Sequence, residues 1–196
     1  MPLIDPLPTG ANPDLDEFFS FFLGPLGFVP NSMRIMQRRP AMVKAFADLN
    51  KAVMEGEVDP GLKRLIGHIA SRVAGCDYCM AHTALGAGRK GVNDDKLEAI
   101  WEYQTSPLYS DAERAALDFA AAAASVPNAV TPEIGERLRA HWDDGQIVEI
   151  LGVIALFGFL NRWNDSLATP LEDEADAVGQ RFLADRGWSK GKHLEP

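Results

Sequence analysis

Basic residues are in short supply. The chain has 19 Lys and Arg against 28 Asp and Glu, for a formal net charge of −9. No basic patch of the size needed to neutralise a run of phosphates is visible, so a nucleic-acid partner is excluded. Long apolar runs are also missing. The most apolar stretch, Ile147 to Leu160, is short for a bilayer span and contains Glu149. The opening residues, MPLIDPLPTGANPD, lack the basic and apolar segments of a secretory leader. These absences lead to the expectation of a cytoplasmic protein with no membrane partner. There is no strand-like alternation, no glycine-rich phosphate loop, no G-x-S-x-G and no low-complexity tract. Cysteine is among the scarcest residues, with 2 in 196.

Hydrophobic residues make up 46% of the chain, enough for one well-filled domain. Valine, leucine and isoleucine recur at helical spacing throughout, so the expected class is all-α, a multi-helix bundle. Residues 1–14 are rich in proline and read as an arm. Residues 15–187 read as the helical domain, and 188–196 as a polar tail in which His193 is disordered or a surface residue. Two helix hairpins in each half fit an internal duplication, although no sequence repeat is visible. Leu15, Phe18, Phe19 and Phe22 define a short apolar helix, ended by Gly24 and Pro25. Ser110 and Glu113 have the spacing of a capping box. A helix from about Gln146 to Asn161 is apolar on nearly all sides and is expected at the centre of the core. Asn161, Asn164 and Asp165 then either cap its end or form a polar rim to a pocket. The final amphipathic helix is expected from Glu172 to Arg186.

Both cysteines lie in one stretch, Arg64 to Gly91, with the spacing Cys76-x-x-Cys79-x-x-His82. Leu62, Leu65, Ile66, Ile69 and Val73 predict an amphipathic helix over about 60–74. Its other face carries Arg64, His68, Ser71 and Arg72. Gly75 breaks it, and a second helix starts near Cys76, with Cys79, His82 and Gly86 on one face. A thiolate near a helix start is stabilised by unpaired N–H groups and the positive dipole end. A histidine one turn away can take the thiol proton, and a second cysteine can capture an oxidised sulfur as a disulfide. A purely structural disulfide is disfavoured, because so short a loop restrains little of the unfolded chain. A zinc site would use Cys76, Cys79, His82 and His68. Two incidental buried thiols are the remaining alternative to a redox dithiol.

The run G-C-D-Y-C-M-A-H-T-A behind an apolar helix resembles the alkylhydroperoxidase AhpD-like proteins of the carboxymuconolactone decarboxylase superfamily. Phe159-Leu-Asn161-Arg-Trp-Asn164-Asp165 is similar to the asparagine-rich segment of its peroxidase-related branch. The resemblance implies an AhpD-like all-helical fold and a peroxidase or thiol–disulfide activity. It implies that Cys79 attacks the hydroperoxide, that Cys76 resolves it, and that His82 belongs to a proton relay. AhpD carries its histidine four residues after the second cysteine; here the offset is three. AhpD also carries a glutamate twelve residues before the first cysteine, where this chain has Arg64. His68, one turn on, is the candidate substitute; a solvated histidine is the alternative.

The expected function is therefore hydroperoxide reduction by a dithiol, with catalytic residues Cys79, Cys76, His82 and His68. No cofactor or resident metal is needed, since sulfur carries both electrons. The expected partners are an organic hydroperoxide, a dithiol protein or small thiol as reductant, and further copies of the chain in a homo-oligomer. The alternatives are a zinc-binding or redox-sensing module, and a decarboxylase, whose chemistry has no use for a dithiol.

Overall fold

A computed structural model describes residues 1–194, and their side chains except at 21, 22 and 24–26. The expectation for Phe22 therefore lies outside the described side chains. Among the described residues the chain is all-α, with ten α-helices and no strand. They are α1 (Asp16–Leu26), α2 (Asn31–Met36), α3 (Pro40–Met54), α4 (Pro60–Ala74) and α5 (Asp77–Arg89), then α6 (Asp94–Glu98), α7 (Asp111–Ala124), α8 (Pro132–Arg139), α9 (Asp144–Leu167) and α10 (Asp173–Phe182).

Local chemistry sets most of the boundaries. Asp59 caps α4 by accepting from the Leu62 N–H at 2.8 Å, and proline fills the first helical position behind it. Asn93 caps α6, and Thr131 caps α8. Ser110 and Glu113 form the expected capping box at the head of α7. Asp143 and Gln146 form a second box at the head of α9. The first apolar helix continues past Gly24 and Pro25 and stops at Gly27, whose φ of 71° closes it.

The centre of the fold is α4, with ten of its fifteen residues buried. It packs on α5, α7 and α9. This corrects the sequence reading on two points. His68 and Ser71, assigned to a polar face, are buried, while Val73 of the apolar stripe is partly exposed. The second correction concerns α9, expected to be the buried centre. One face of it is open, with Val148 71% and Phe159 40% exposed. Its other face packs on α3, α4, α5 and α7. At 24 residues, α9 is long and apolar enough by composition to cross a membrane, so the shorter apolar run understated it. Glu149 within it is committed inward. It pairs with fully buried Lys63 of α4 and accepts from the Glu57 and Val58 N–H groups, both at 3.1 Å. Gly67 lets the two helices meet, since a Cβ there would overlap the Phe157 ring.

A second, smaller core joins the N-terminal helices to α9. Leu15, Phe19, Val29, Met33, Met36, Val43 and Phe46 close over Leu156. Beyond α10 the chain folds back. Trp188 donates its ring N–H to the Asp77 carbonyl at 3.0 Å, and the Leu171 N–H donates to the His193 carbonyl at 3.0 Å. The tail therefore lies along the start of α5.

Candidate active site

Gly75 ends α4 in the left-handed conformation with φ 70°, and the chain turns directly into α5. Cys76 occupies the N-cap in an extended conformation, and its Sγ accepts from the Cys79 N–H at 3.4 Å. Its sulfur therefore stands at the positive end of the helix. Cys79 lies within the first turn. Both thiols are free and buried. Asn164 Nδ2–H of α9 donates to Cys79 Sγ at 3.5 Å. Burial and the adjoining Cys76 sulfur push the Cys79 thiol well above its ordinary value, with the Asn164 hydrogen bond acting in the opposite direction.

Asn161, Asn164 and Asp165 were weighed as caps at the end of a helix. They lie inside α9, which continues to Leu167 and closes at Ala168 with φ 48°. Asn164 hydrogen-bonds to the dithiol at Cys79 and an Asp165 carboxylate oxygen lies within 4.8 Å of Cys76 Sγ, whereas Asn161 donates to the Ala70 carbonyl at 3.4 Å.

His82 is on α5, one turn beyond Cys79. Its Nε2–H donates to Glu172 Oε2 at 2.6 Å rather than to a cysteine sulfur. Its ring stacks on Tyr78 with centroids 4.4 Å apart. Glu172 precedes α10 but makes no side-chain cap for that helix. Its carboxylate turns inward instead and gathers three donors: His82, the Tyr78 hydroxyl at 2.9 Å, and the backbone N–H of Asn31 at the head of α2. Burial alone would raise this carboxyl. The His82 charge and the hydrogen bonds outweigh burial and hold it below the usual range.

Fully buried His68 is elsewhere in the packing. Its Nδ1–H donates to the Met80 carbonyl at 3.2 Å and to the Thr83 hydroxyl at 3.1 Å. Burial, opposed by the Met80 bond and aided by the Arg72 charge, lowers its pKa to about 4. The solvated-histidine alternative is therefore overturned. Arg64, at the position of the missing relay glutamate, packs across Gly86, whose Cβ would lie 3.0 Å from Arg64 Cδ.

The comparisons fit this arrangement. The sequence model of the carboxymuconolactone decarboxylase family matches residues 40–122. A solved structure of the debrominase Bmp8, a cysteine-to-alanine variant in complex with 2,3,4-tribromopyrrole, is 35% identical to this chain. That similarity covers 92% of this chain and 97% of Bmp8, with a TM-score of 0.87. The chain belongs to the carboxymuconolactone decarboxylase family. Its fold is AhpD-like: a peroxidase-related protein from Silicibacter sp. TM1040, 24% identical, superposes with a TM-score of 0.75 over 89% of this chain and 91% of that one. YnjA of Escherichia coli K12 is 30% identical over 115 residues, and the chain spans 63% of its length.

The resemblance to AhpD puts its relay glutamate at position 64, which is arginine here. The carboxylate beside His82 comes instead from Glu172, 90 residues further along the chain. Tyr78, one of the two residues between the cysteines, carries no local sequence sign of a role for its hydroxyl. His193, read as a surface residue, is 1% exposed, and that reading is corrected: its Nδ1–H donates to the Thr169 carbonyl at 2.8 Å.

Proposed function

We propose that this protein is a dithiol-dependent reductase in which Cys79 attacks an organic hydroperoxide and Cys76 resolves the product. The observation that carries this reading is the contact between the two cysteines. The Cys79 N–H reaches Cys76 Sγ, so both sulfurs share the first turn of one helix. In the first step the Cys79 thiolate attacks the distal peroxide oxygen. The O–O bond breaks, Cys79 becomes a sulfenic acid, and the departing alkoxide takes a proton to become an alcohol. In the second, Cys76 displaces water and the disulfide forms. An external dithiol protein or small thiol then returns both electrons. Asn164 steadies the developing thiolate by donating to its sulfur. The His82–Glu172 pair, extended by Tyr78, is the proton reservoir beside the dithiol. His68 supports this from within the packing, through Thr83 and the Met80 carbonyl, rather than as a group touching the substrate.

A second reading follows from the near full-length likeness to Bmp8. The same thiolate can take a halogen from an electron-rich ring. The carbon–halogen bond breaks, the carbon takes a proton, and a sulfenyl halide forms on Cys79. Cys76 displaces halide and gives the same disulfide. Both reactions consume two thiols and deliver two electrons, and they differ in the atom that sulfur attacks.

Thiol titration of the reduced protein separates these readings. Cumene hydroperoxide should remove two thiols and yield one equivalent of alcohol. If instead 2,3,4-tribromopyrrole removes them with release of bromide, the halogen reading replaces the peroxide one. Two unreacted thiols after both treatments would overturn the reductase.

The open face of α9 lines a groove of about 860 Å³ with Val73, Leu151 and Phe159 among its apolar walls. A homo-oligomer in the cytoplasm belongs to the same proposal, with exposed Val148, Leu151 and Phe159 on the open face of α9 offered to a second copy.

A further inference from the structure

Cys76, Asp165 and His193 come from the head of α5, the last turns of α9 and the C-terminal tail. A sulfur, a carboxylate oxygen and a ring nitrogen of these three lie within 4.8 Å of one another. The histidine is set for one role. Its Nδ1–H is committed to the Thr169 carbonyl, so the lone pair stands on Nε2. That atom is buried and has no hydrogen-bond partner. It faces Asp165 Oδ1 at 3.9 Å, beyond hydrogen-bond reach. A buried acceptor of this kind calls for something to fill the space before it.

We propose that Cys76, Asp165 and His193 form a binding site for a borderline divalent cation of the zinc class, with a fourth position left to water. One thiolate, one carboxylate and one neutral imidazole suit such an ion and balance its charge. Zinc holds these ligands at about 2.0–2.3 Å, so the three groups need to draw in by no more than about an ångström. Each already has the outer partner that metal ligands require. The Thr169 carbonyl orients His193. Lys192 Nζ holds Asp165 Oδ2 at 2.9 Å and leaves Oδ1 for the ion. The Cys79 N–H supports Cys76 Sγ. This ligand set differs from the Cys76, Cys79, His82 and His68 set that sequence spacing offers. His82 is committed to Glu172, and His68 to Met80 and Thr83.

Binding changes no oxidation state. The Cys76 thiol loses one proton to solvent and its sulfur bonds to the metal. A ligated Cys76 cannot displace water from an oxidised Cys79, so metal occupancy and disulfide formation exclude each other.

Cobalt(II) titration of the reduced, chelator-treated full-length protein under argon tests the site. The expected result is one equivalent bound, with a sulfur-to-cobalt charge-transfer band, tetrahedral d–d bands and about one proton released per ion. His193→Ala and, separately, Asp165→Asn should each weaken binding at least tenfold, while Cys79→Ser and His82→Ala retain it. Zinc should shield Cys76 but not Cys79 from iodoacetamide, as read by peptide mass spectrometry. No cobalt binding by the reduced protein would overturn the site. So would loss of binding in Cys79→Ser with retention in His193→Ala, which would place the ion on the C-x-x-C pair.

Discussion

Glu172 caps a helix that is not its own. It precedes α10, yet its carboxylate binds the backbone N–H of Asn31 at the head of α2 and His82 Nε2–H of α5 at 2.6 Å. One side chain therefore ties the N-terminal helices to the helix that carries the cysteines, and it places a buried negative charge beside the only histidine on the dithiol's own helix. Glu172→Gln removes that charge while keeping a side chain of the same shape. Turnover with an organic hydroperoxide should fall by about 10²-fold, the scale of a lost proton-transfer group, and the pH–rate profile should change shape. Glu172→Ala should cost more, because it also leaves three donors unpaired. Steady-state kinetics across pH, set beside the melting temperature of each variant, separates the two effects.

The second prediction concerns acid stability. His68 takes its proton near pH 6.5 in an unfolded chain and at about 4 when buried in the fold. Between those values the unfolded state holds more protons than the native one. Stability from this group is therefore complete above about pH 6.5 and is lost as the pH falls towards 4. The loss amounts to roughly 3 kcal/mol. Carboxyls that the fold lowers, Glu113, Glu149 and Glu172 among them, add their own losses only as the pH falls through the carboxylate range. Urea denaturation at pH 7.5, 6 and 5 should show the midpoint falling at each step. His68→Gln should be less stable at pH 7.5 and should flatten the dependence between 7.5 and 5. An equally steep dependence in His68→Gln would sink the assignment.

Much of this was legible from one-dimensional spacing, and the rest was not for a definable reason. The helices α4 and α5, the break at Gly75 and the cap at Ser110 are local events, set by periodicity, a left-handed residue and a side chain reaching three residues ahead. The extent of α9 was misread at Asn161, Arg162, Asn164 and Asp165. A polar run usually marks a helix leaving the core, but here Asn164 turns back onto Cys79 within the helix. His68 looked solvated because it shares a helix with Arg64 and Arg72, and only the packing of α5 and Trp101 around it removes it from water. Glu172 and His193 reach the site through the chain reversal at Thr169 to Leu171 and the return of the tail. No local pattern encodes either contact.

Two glycines should respond to alanine in opposite directions. Gly88 is helical and exposed, with open space where a Cβ would go. Gly88→Ala should stabilise by about 0.5–1 kcal/mol through the smaller entropy of the unfolded chain. Gly67→Ala gains the same term but drives a methyl into the Phe157 ring. Overpacking of a closed core costs about 1–3 kcal/mol, so the net change should be destabilising. Chemical denaturation of both variants checks the contrast.

The last prediction assigns the two sulfurs. Position at the helix head favours Cys76 as the stabilised thiolate, since its Sγ already accepts an N–H and faces the positive dipole end. An exposed dipole end contributes only about 0.3–1 kcal/mol. Cys79 has a more specific donor, Asn164 Nδ2–H, against the cost of its burial. A hydrogen bond to a charged acceptor contributes about 1.5–3 kcal/mol, but each sulfur accepts one, so what singles out Cys79 is His82, one turn beyond it on the same helix face. Cys79 should therefore be the attacking sulfur. Cys79→Ser should abolish peroxide consumption, and Cys76→Ser should still allow a single oxidation that leaves a sulfenic acid on Cys79. Asn164→Ala in the Cys76→Ser background should slow alkylation of Cys79 at neutral pH by about tenfold, since it removes the donor and leaves the burial. A sulfenic-acid probe followed by peptide mass spectrometry decides the matter. Label on Cys76 in the Cys79→Ser protein, with none on Cys79 in the Cys76→Ser protein, would reverse the two roles and return the advantage to the helix end.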